Sequence, residues 1–174
     1  RDDYWKPGSV CEDYRRIQIP VYAVSGWQDS YSRNLLPLLE NLQGPKKALV
    51  GPWAHSVPHL AQPGPAIGFL QEALRWWDHW LKDIDTGILD EPMLRVWMGS
   101  WTRPSKLVPA WPGRWVAEPV WPPLGRAPRV LHLNAEGLRD QAGAGLQRAV
   151  CSPQTTGLRA GYQCSYGLGP DLSD

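Results

Sequence analysis

The sequence predicts an α/β fold followed by a β sandwich or jelly roll, and three observations carry that expectation. Two runs rich in β-branched and apolar residues, IQIPVYAVSGW (17–27) and KKALVGPW (46–53), flank a leucine-bearing helical segment. A second helical segment follows at 66–82. Near residue 92 the chain changes character, and from there Pro, Gly and Trp punctuate short alternating stretches. The division implied is an α/β portion at 1–92 and a β portion at 93–174.

The run at 17–27 is apolar almost throughout, as expected of a strand buried on both faces of a parallel sheet, and 46–53 reads the same way. Between them SYSRNLLPLLENL (30–42) carries leucines at 35, 36, 38, 39 and 42, a helical face interrupted or kinked by Pro37. Strand, helix and strand make one parallel unit. The segment AIGFLQEALRWWDHWLK (66–82) sets Ile67, Leu70, Ala73, Leu74, Trp77 and Leu81 on one apolar stripe at spacings of three and four. Beyond residue 92, LRVWMGSW, GRWVAEPVW and RVLHLNAEG are each bounded by Pro or Gly, which suits an antiparallel sandwich or jelly roll.

Composition limits what such a fold can do. At 174 residues and 43% hydrophobic, the chain can bury one ordinary core or two small ones. Eighteen Lys and Arg against seventeen Asp and Glu leave a net charge of +1, so no phosphate-tracking surface and no nucleic-acid partner are expected. No apolar run approaches the roughly 20 residues needed to span a bilayer, and no membrane partner is expected. A soluble product follows, with the cytoplasm favoured because no targeting segment is visible. The chain opens at Arg1 rather than Met, in what reads as a helical or loop segment, so it is expected to be a fragment lacking its natural N-terminus. Cys11, Cys151 and Cys164 show no metal-type spacing and no disulfide framework, although a Cys151–Cys164 bridge stays open. Self-association into a homo-oligomer is also left open.

With the strands placed, the polar residues at their ends acquire meaning. Functional groups in open α/β sheets collect beyond the carboxyl ends of the strands, and Asp29 and His55 both fall there. They are expected to be neighbours. A carboxylate and an imidazole so delivered form the second half of a nucleophile, histidine, acid relay: the ring takes the nucleophile's proton, and the carboxylate holds its tautomer. In α/β-hydrolases the chain order is Ser, then acid, then His, with the serine on a G-x-S-x-G elbow. Residues 1–28 hold no such elbow, so the serine is expected upstream.

GWQD (26–29), GPWAH (51–55) and EALRWWDHWLKDIDTGILDEP (72–92) together resemble the acid motif, histidine motif and connecting helix of the CocE/NonD hydrolases. That family is related to X-prolyl dipeptidyl-peptidases, cocaine esterase and α-amino-acid ester hydrolases. The resemblance covers roughly residues 1–125. It implies the C-terminal part of an α/β-hydrolase domain at 1–92 and the start of a jelly-roll domain at 93–174. It also implies a serine hydrolase in which Asp29 is the acid and His55 the base. The family's G-x-S-Y-x-G nucleophile elbow is absent, so this chain carries two members of the triad and its isolated activity is expected to be lost. The substrate implied is a small acyl ester, amide or peptide, and no cofactor is called for.

Plainer readings stand beside these. Asp29 can cap the segment from Ser30 onward, and His55 can be a polar turn residue. A His55/His59 metal pair would need helical spacing and a third ligand, and Pro52, Pro58, Pro63 and Pro65 argue against the helix, so no metal is expected. His79, between Trp77 and Trp80, reads as a packing position. Ser165 in QCSYG imitates an elbow, but Gln163 replaces its first glycine and the chain order is wrong. Trp27 and Trp53 neighbour the two candidates, and walling an acyl pocket or simple packing are equally open to them. A rival from another class is a carbohydrate-binding β sandwich, with Trp97, Trp101, Trp111, Trp115 and Trp121 as a stacking face.

Overall fold

The computed structural model describes residues 2–103, 108–125, 127–145, 147 and 149–155. Three short 3-10 turns between Lys6 and Arg16 lead to β1 (Val21–Gly26). A 3-10 turn at Ser32–Asn34 runs into α1 (Leu35–Asn41), followed by β2 (Lys46–Gly51) and α2 (Phe69–Lys82). The β portion holds β3 (Leu94–Gly99), β4 (Gly113–Glu118), β5 (His132–Asn134) and β6 (Gly137–Arg139). The first four strands form one mixed sheet in the order β1-β2-β3-β4, while β5 and β6 pair with each other as a small hairpin.

The strand–helix–strand unit forms as expected: β1 and β2 run parallel, in register from Val21↔Lys46 to Gly26↔Gly51. β3 then joins β2 in parallel and β4 returns antiparallel to β3, so the sheet continues across residue 92. Alternation along the strands feeds two cores, one on each face. Leu35, Leu39, Ala48, Val50 and Leu94 make the α1-side core, with Trp121 packed against it. Leu49, Trp53 and Ala61 make the other, with Tyr22, Val24 and Ile67 against them.

Three local expectations change. First, β2 is buried over almost its whole length, whereas β1, read as equally buried, is half-buried apart from Gly26. The reason is position: β1 is an edge of the described sheet and β2 lies inside it. Second, Pro37 neither interrupts nor kinks α1. It is the helix's third residue, where the backbone N–H would lack an intrahelical acceptor anyway, so proline removes nothing.

Third, an amphipathic helix ordinarily turns its apolar stripe to the core, and α2 does not. Leu70, Leu74, Trp77 and Leu81 are all more than half exposed, and the one buried residue of the helix is Trp76. Charge explains the rotation. Tyr22 donates to Glu72 at 2.6 Å, and Arg95, on the same sheet face, pairs with that carboxylate and donates to the Tyr22 hydroxyl at 2.8 Å. Arg75, one turn further along, reaches Glu91 at 2.6 Å and the Thr86 carbonyl at 3.1 Å. The helix is thus docked by its polar side.

Lys47 completes this network from the start of β2. Its side chain is 3% exposed, and its ammonium donates to the Ile88 carbonyl at 2.8 Å and to Glu91 at 3.3 Å. Burial pushes that ammonium below its ordinary value, a cost that the Glu91 charge only partly offsets. For Glu91, burial acts upward, but the hydrogen bond from Arg75 and the Lys47 charge together hold the carboxyl below the usual range. Burial, and then the bond to Glu72, raise the Tyr22 hydroxyl well above an ordinary tyrosine.

A carboxylate whose folded value is depressed stabilises the fold above its unfolded value, and that stabilisation is lost as pH falls through the folded value. Glu91→Gln is therefore expected to cost about 2 kcal/mol near neutral pH, less than the removal of one partner from a fully buried pair because the side chain is 28% exposed. The cost should shrink as pH drops below about 4.3. Urea denaturation across pH measures this, and a cost constant with pH would refute it. Lys47→Met should destabilise as well, because it leaves the buried Ile88 carbonyl without its donor and takes one cation from Glu91.

Candidate active site

The first candidate comes from the turn that leaves β1. The Asp29 amide donates to the Gly26 carbonyl at 3.0 Å, and the Ser32 amide donates to the Asp29 carbonyl at 3.1 Å, so two overlapping turns reverse the chain before α1. Asp29 Oδ1 accepts the Tyr31 amide at 2.8 Å, which locks the carboxylate's orientation. Asp29 is not the helix cap expected of it, since the 3-10 turn that follows is capped at Tyr31 without a side-chain bond; its turn bond and its contact with His55 engage different oxygens.

The second candidate comes from the end of β2. Pro52, Trp53 and Ala54 are buried, and the loop beyond them is closed by Ala54 N–H to the Gln62 carbonyl at 2.9 Å and Trp53 Nε1–H to the Pro65 carbonyl at 2.8 Å. His55 follows on a tight turn, and its Nδ1 lies 2.9 Å from Asp29 Oδ2. The side chains are 38% and 13% exposed, so the carboxylate is sheltered while the ring reaches the surface. A carboxylate beside Nδ1 favours the tautomer protonated there, which leaves the basic lone pair on Nε2. The Tyr31 ring lies against the imidazole, centroids 5.8 Å apart. That residue went unnoticed in the sequence, although an aromatic two positions beyond the candidate acid was the available signal.

Beside the pair is a hollow of about 310 Å³, whose lining includes Ser25, Gly26, Trp53, Ser56 and Val57 together with Asp29 and His55. Of the two tryptophans considered for an acyl pocket, Trp53 reaches this lining. Trp27 does not: its indole N–H donates to the Trp97 carbonyl at 2.7 Å, which turns the ring toward β3 and a separate hollow with Met98 and Trp111. His59 stacks on Phe69, and His79 packs edge-to-face with Trp80. Among the described residues no group of three His, Cys, Asp or Glu side chains is arranged to hold a metal ion, and no helix is long and apolar enough to cross a membrane. Ser165 and Cys164 lie outside the described residues.

The five tryptophans considered for glycan stacking do not share one face. Trp97 and Trp115 meet edge-to-face at 5.3 Å, Trp111 lies on Gly99, and Trp121 packs on the core beside α1. A sugar-stacking platform needs coplanar exposed rings, and Trp97 and Trp115, set edge to face, do not form one.

An acid and an imidazole converge beyond two adjacent parallel strands, where open α/β sheets collect functional groups. Comparison with known proteins adds two findings. Residues 1–57, which include both Asp29 and His55, match the family model of X-Pro dipeptidyl-peptidase (S15 family). The fold resembles the crystal structure of a CocE/NonD family hydrolase from Staphylococcus aureus, with a TM-score of 0.55 and 18% identity over 78% of this chain. At that identity the likeness speaks for the fold alone. The chain spans 22% of the length of that hydrolase. No curated protein matches the sequence. The family match over residues 1–57 agrees with the motif resemblance to the CocE/NonD hydrolases, and the structural likeness agrees with the fold.

The site depends on close backbone approach at one glycine. A methyl group at Gly26 would overlap the Trp53 carbonyl. Gly26→Ala should therefore force the two strand ends apart and cost on the order of 2 kcal/mol in urea denaturation. An alanine variant as stable as the parent would show that the approach is not required.

Proposed function

We propose that Asp29 and His55 are the acid and base of a Ser–His–Asp relay, and that the chain is part of a serine hydrolase acting on an ester, an amide or an X-Pro peptide. The observation that carries this reading is the 2.9 Å contact between Asp29 Oδ2 and His55 Nδ1. Three further facts support it: the acid-before-base order, the position of both residues beyond parallel strands, and the family match across them. In the same reading, residues 1–92 close the catalytic domain and residues 93–174 begin a jelly-roll domain. The nucleophilic serine comes from sequence beyond these 174 residues.

The chemistry is acyl transfer. The serine hydroxyl adds to the substrate carbonyl as its proton passes to His55 Nε2, and the imidazolium so formed is stabilised by the Asp29 carboxylate at Nδ1. The same Nε2 proton then goes to the departing alkoxide or amine, leaving an acyl-serine. Water repeats the addition with His55 as base, and the serine leaves with its proton restored. Asp29 stays ionised throughout.

In the full-length enzyme, Asp29→Asn should lower kcat on the order of 10⁴-fold by favouring the wrong tautomer, and His55→Ala on the order of 10⁶-fold by removing the base, with KM little changed. His59→Ala and His79→Ala should cost far less. If His59→Ala, still folded, were as damaging as His55→Ala, the base has been misassigned. The 174-residue chain alone should show no esterase turnover. Turnover would direct attention to Ser25, Ser30 or Ser56 as nucleophile.

A further inference from the structure

We infer that Trp53 is a positioning residue that fastens the acid's turn to the base's loop, over and above its place in the wall of the hollow. The inference rests on the Asp29–His55 relay proposed above. It adds an account of what keeps the two side chains at bonding distance when they belong to separate loops.

Three parts of Trp53 contribute, each toward a different neighbour. Its carbonyl accepts the Gln28 amide at 3.1 Å, which ties it to the residue just before Asp29. Its indole N–H donates to the Pro65 carbonyl at 2.8 Å and so cinches the loop that leaves Trp53 with His55 and returns twelve residues later. Its ring, in a residue 1% exposed, lies across Gly51 in space that any Cβ there would occupy, and packs with Leu49 and Ala61. The Trp115 ring, 6.1 Å away by centroids, backs it from β4. Pairing between β1 and β2 ends at Gly26↔Gly51. Beyond it, Trp27 N–H to the Gly51 carbonyl and Gln28 N–H to the Trp53 carbonyl are the described backbone bonds joining the two loops.

The geometry also separates the contributions. The Gln28 bond uses the backbone and survives a side-chain change, and Ala54 N–H to the Gln62 carbonyl gives the loop a second closure. Trp53→Phe thus keeps an aromatic filling over Gly51 and removes the indole donor. The expected result is an intact fold in which the base's loop opens more often.

The readout is the proton shared between His55 Nδ1 and Asp29, a far-downfield resonance in proton NMR when the bond is held, followed in the 174-residue chain together with the Trp53 indole proton. In the parent chain both protons should be protected from exchange relative to a free imidazole and a free indole, each compared with its own intrinsic rate. In Trp53→Phe the histidine proton should exchange about tenfold faster, as expected for loss of one buried hydrogen bond. Absence of the downfield proton from the folded parent would overturn the relay itself. Its presence with an unchanged exchange rate in folded Trp53→Phe would overturn the positioning role and leave the relay standing. Should the variant not fold, the parent chain decides: an indole proton exchanging as freely as that of an exposed tryptophan while the histidine proton stays protected would show that the tie does not hold the base.

Discussion

The parallel register of β1 and β2 is the constraint on which the rest of the site depends. Because Gly26 lies opposite Gly51, the two strands end level, and the residues three and four places beyond them emerge side by side. A slip of one residue would displace one loop against the other by about 3.3 Å and exchange the strand's two faces. That shift exceeds what the side chains of Asp29 and His55 could absorb. Glycine at both ends lets the Trp53 backbone and ring enter the junction, so the register is secured by close packing as well as by ladder bonds.

The charged network around α2 acts on the same sheet from the opposite end of the strands. Lys47 and Arg95 occupy positions that a buried sheet normally fills with aliphatic side chains, and their partners come from the helix and from the loop between α2 and β3. Such a network is costly to desolvate, but it is directional in a way that apolar contact is not. It sets the rotation of α2 about its axis, burying Trp76 against Tyr22 and leaving Leu70, Leu74, Trp77 and Leu81 at the surface. The helix is therefore oriented by bonds rather than by its apolar stripe.

β3 and β4 extend the sheet without interruption and bring a tryptophan layer to the site's rear. Trp97 is nearly buried and meets Trp115, which in turn approaches Trp53. Residues from beyond position 92 thus support the loop carrying His55, and the Trp97 carbonyl holds Trp27 away from the hollow. The contribution of the β portion to the site is structural backing.

Several features were legible in the residues alone. The β-branched runs named β1 and β2, the leucines named α1, and the polar residues just past each strand singled out Asp29 and His55, because strand ends and chain order are local properties. Tertiary structure alone decided which face α2 presents, since Glu72, Arg75, Lys47, Glu91 and Arg95 are scattered along the chain and their pairing outweighs the periodicity of the leucines. It also decided that β1 is an edge of the described sheet, that Trp53 faces the hollow while Trp27 turns away, and that Tyr31 lies on the imidazole. These outcomes depend on contacts between residues distant in sequence, and local pattern holds no record of which distant partner a side chain will meet.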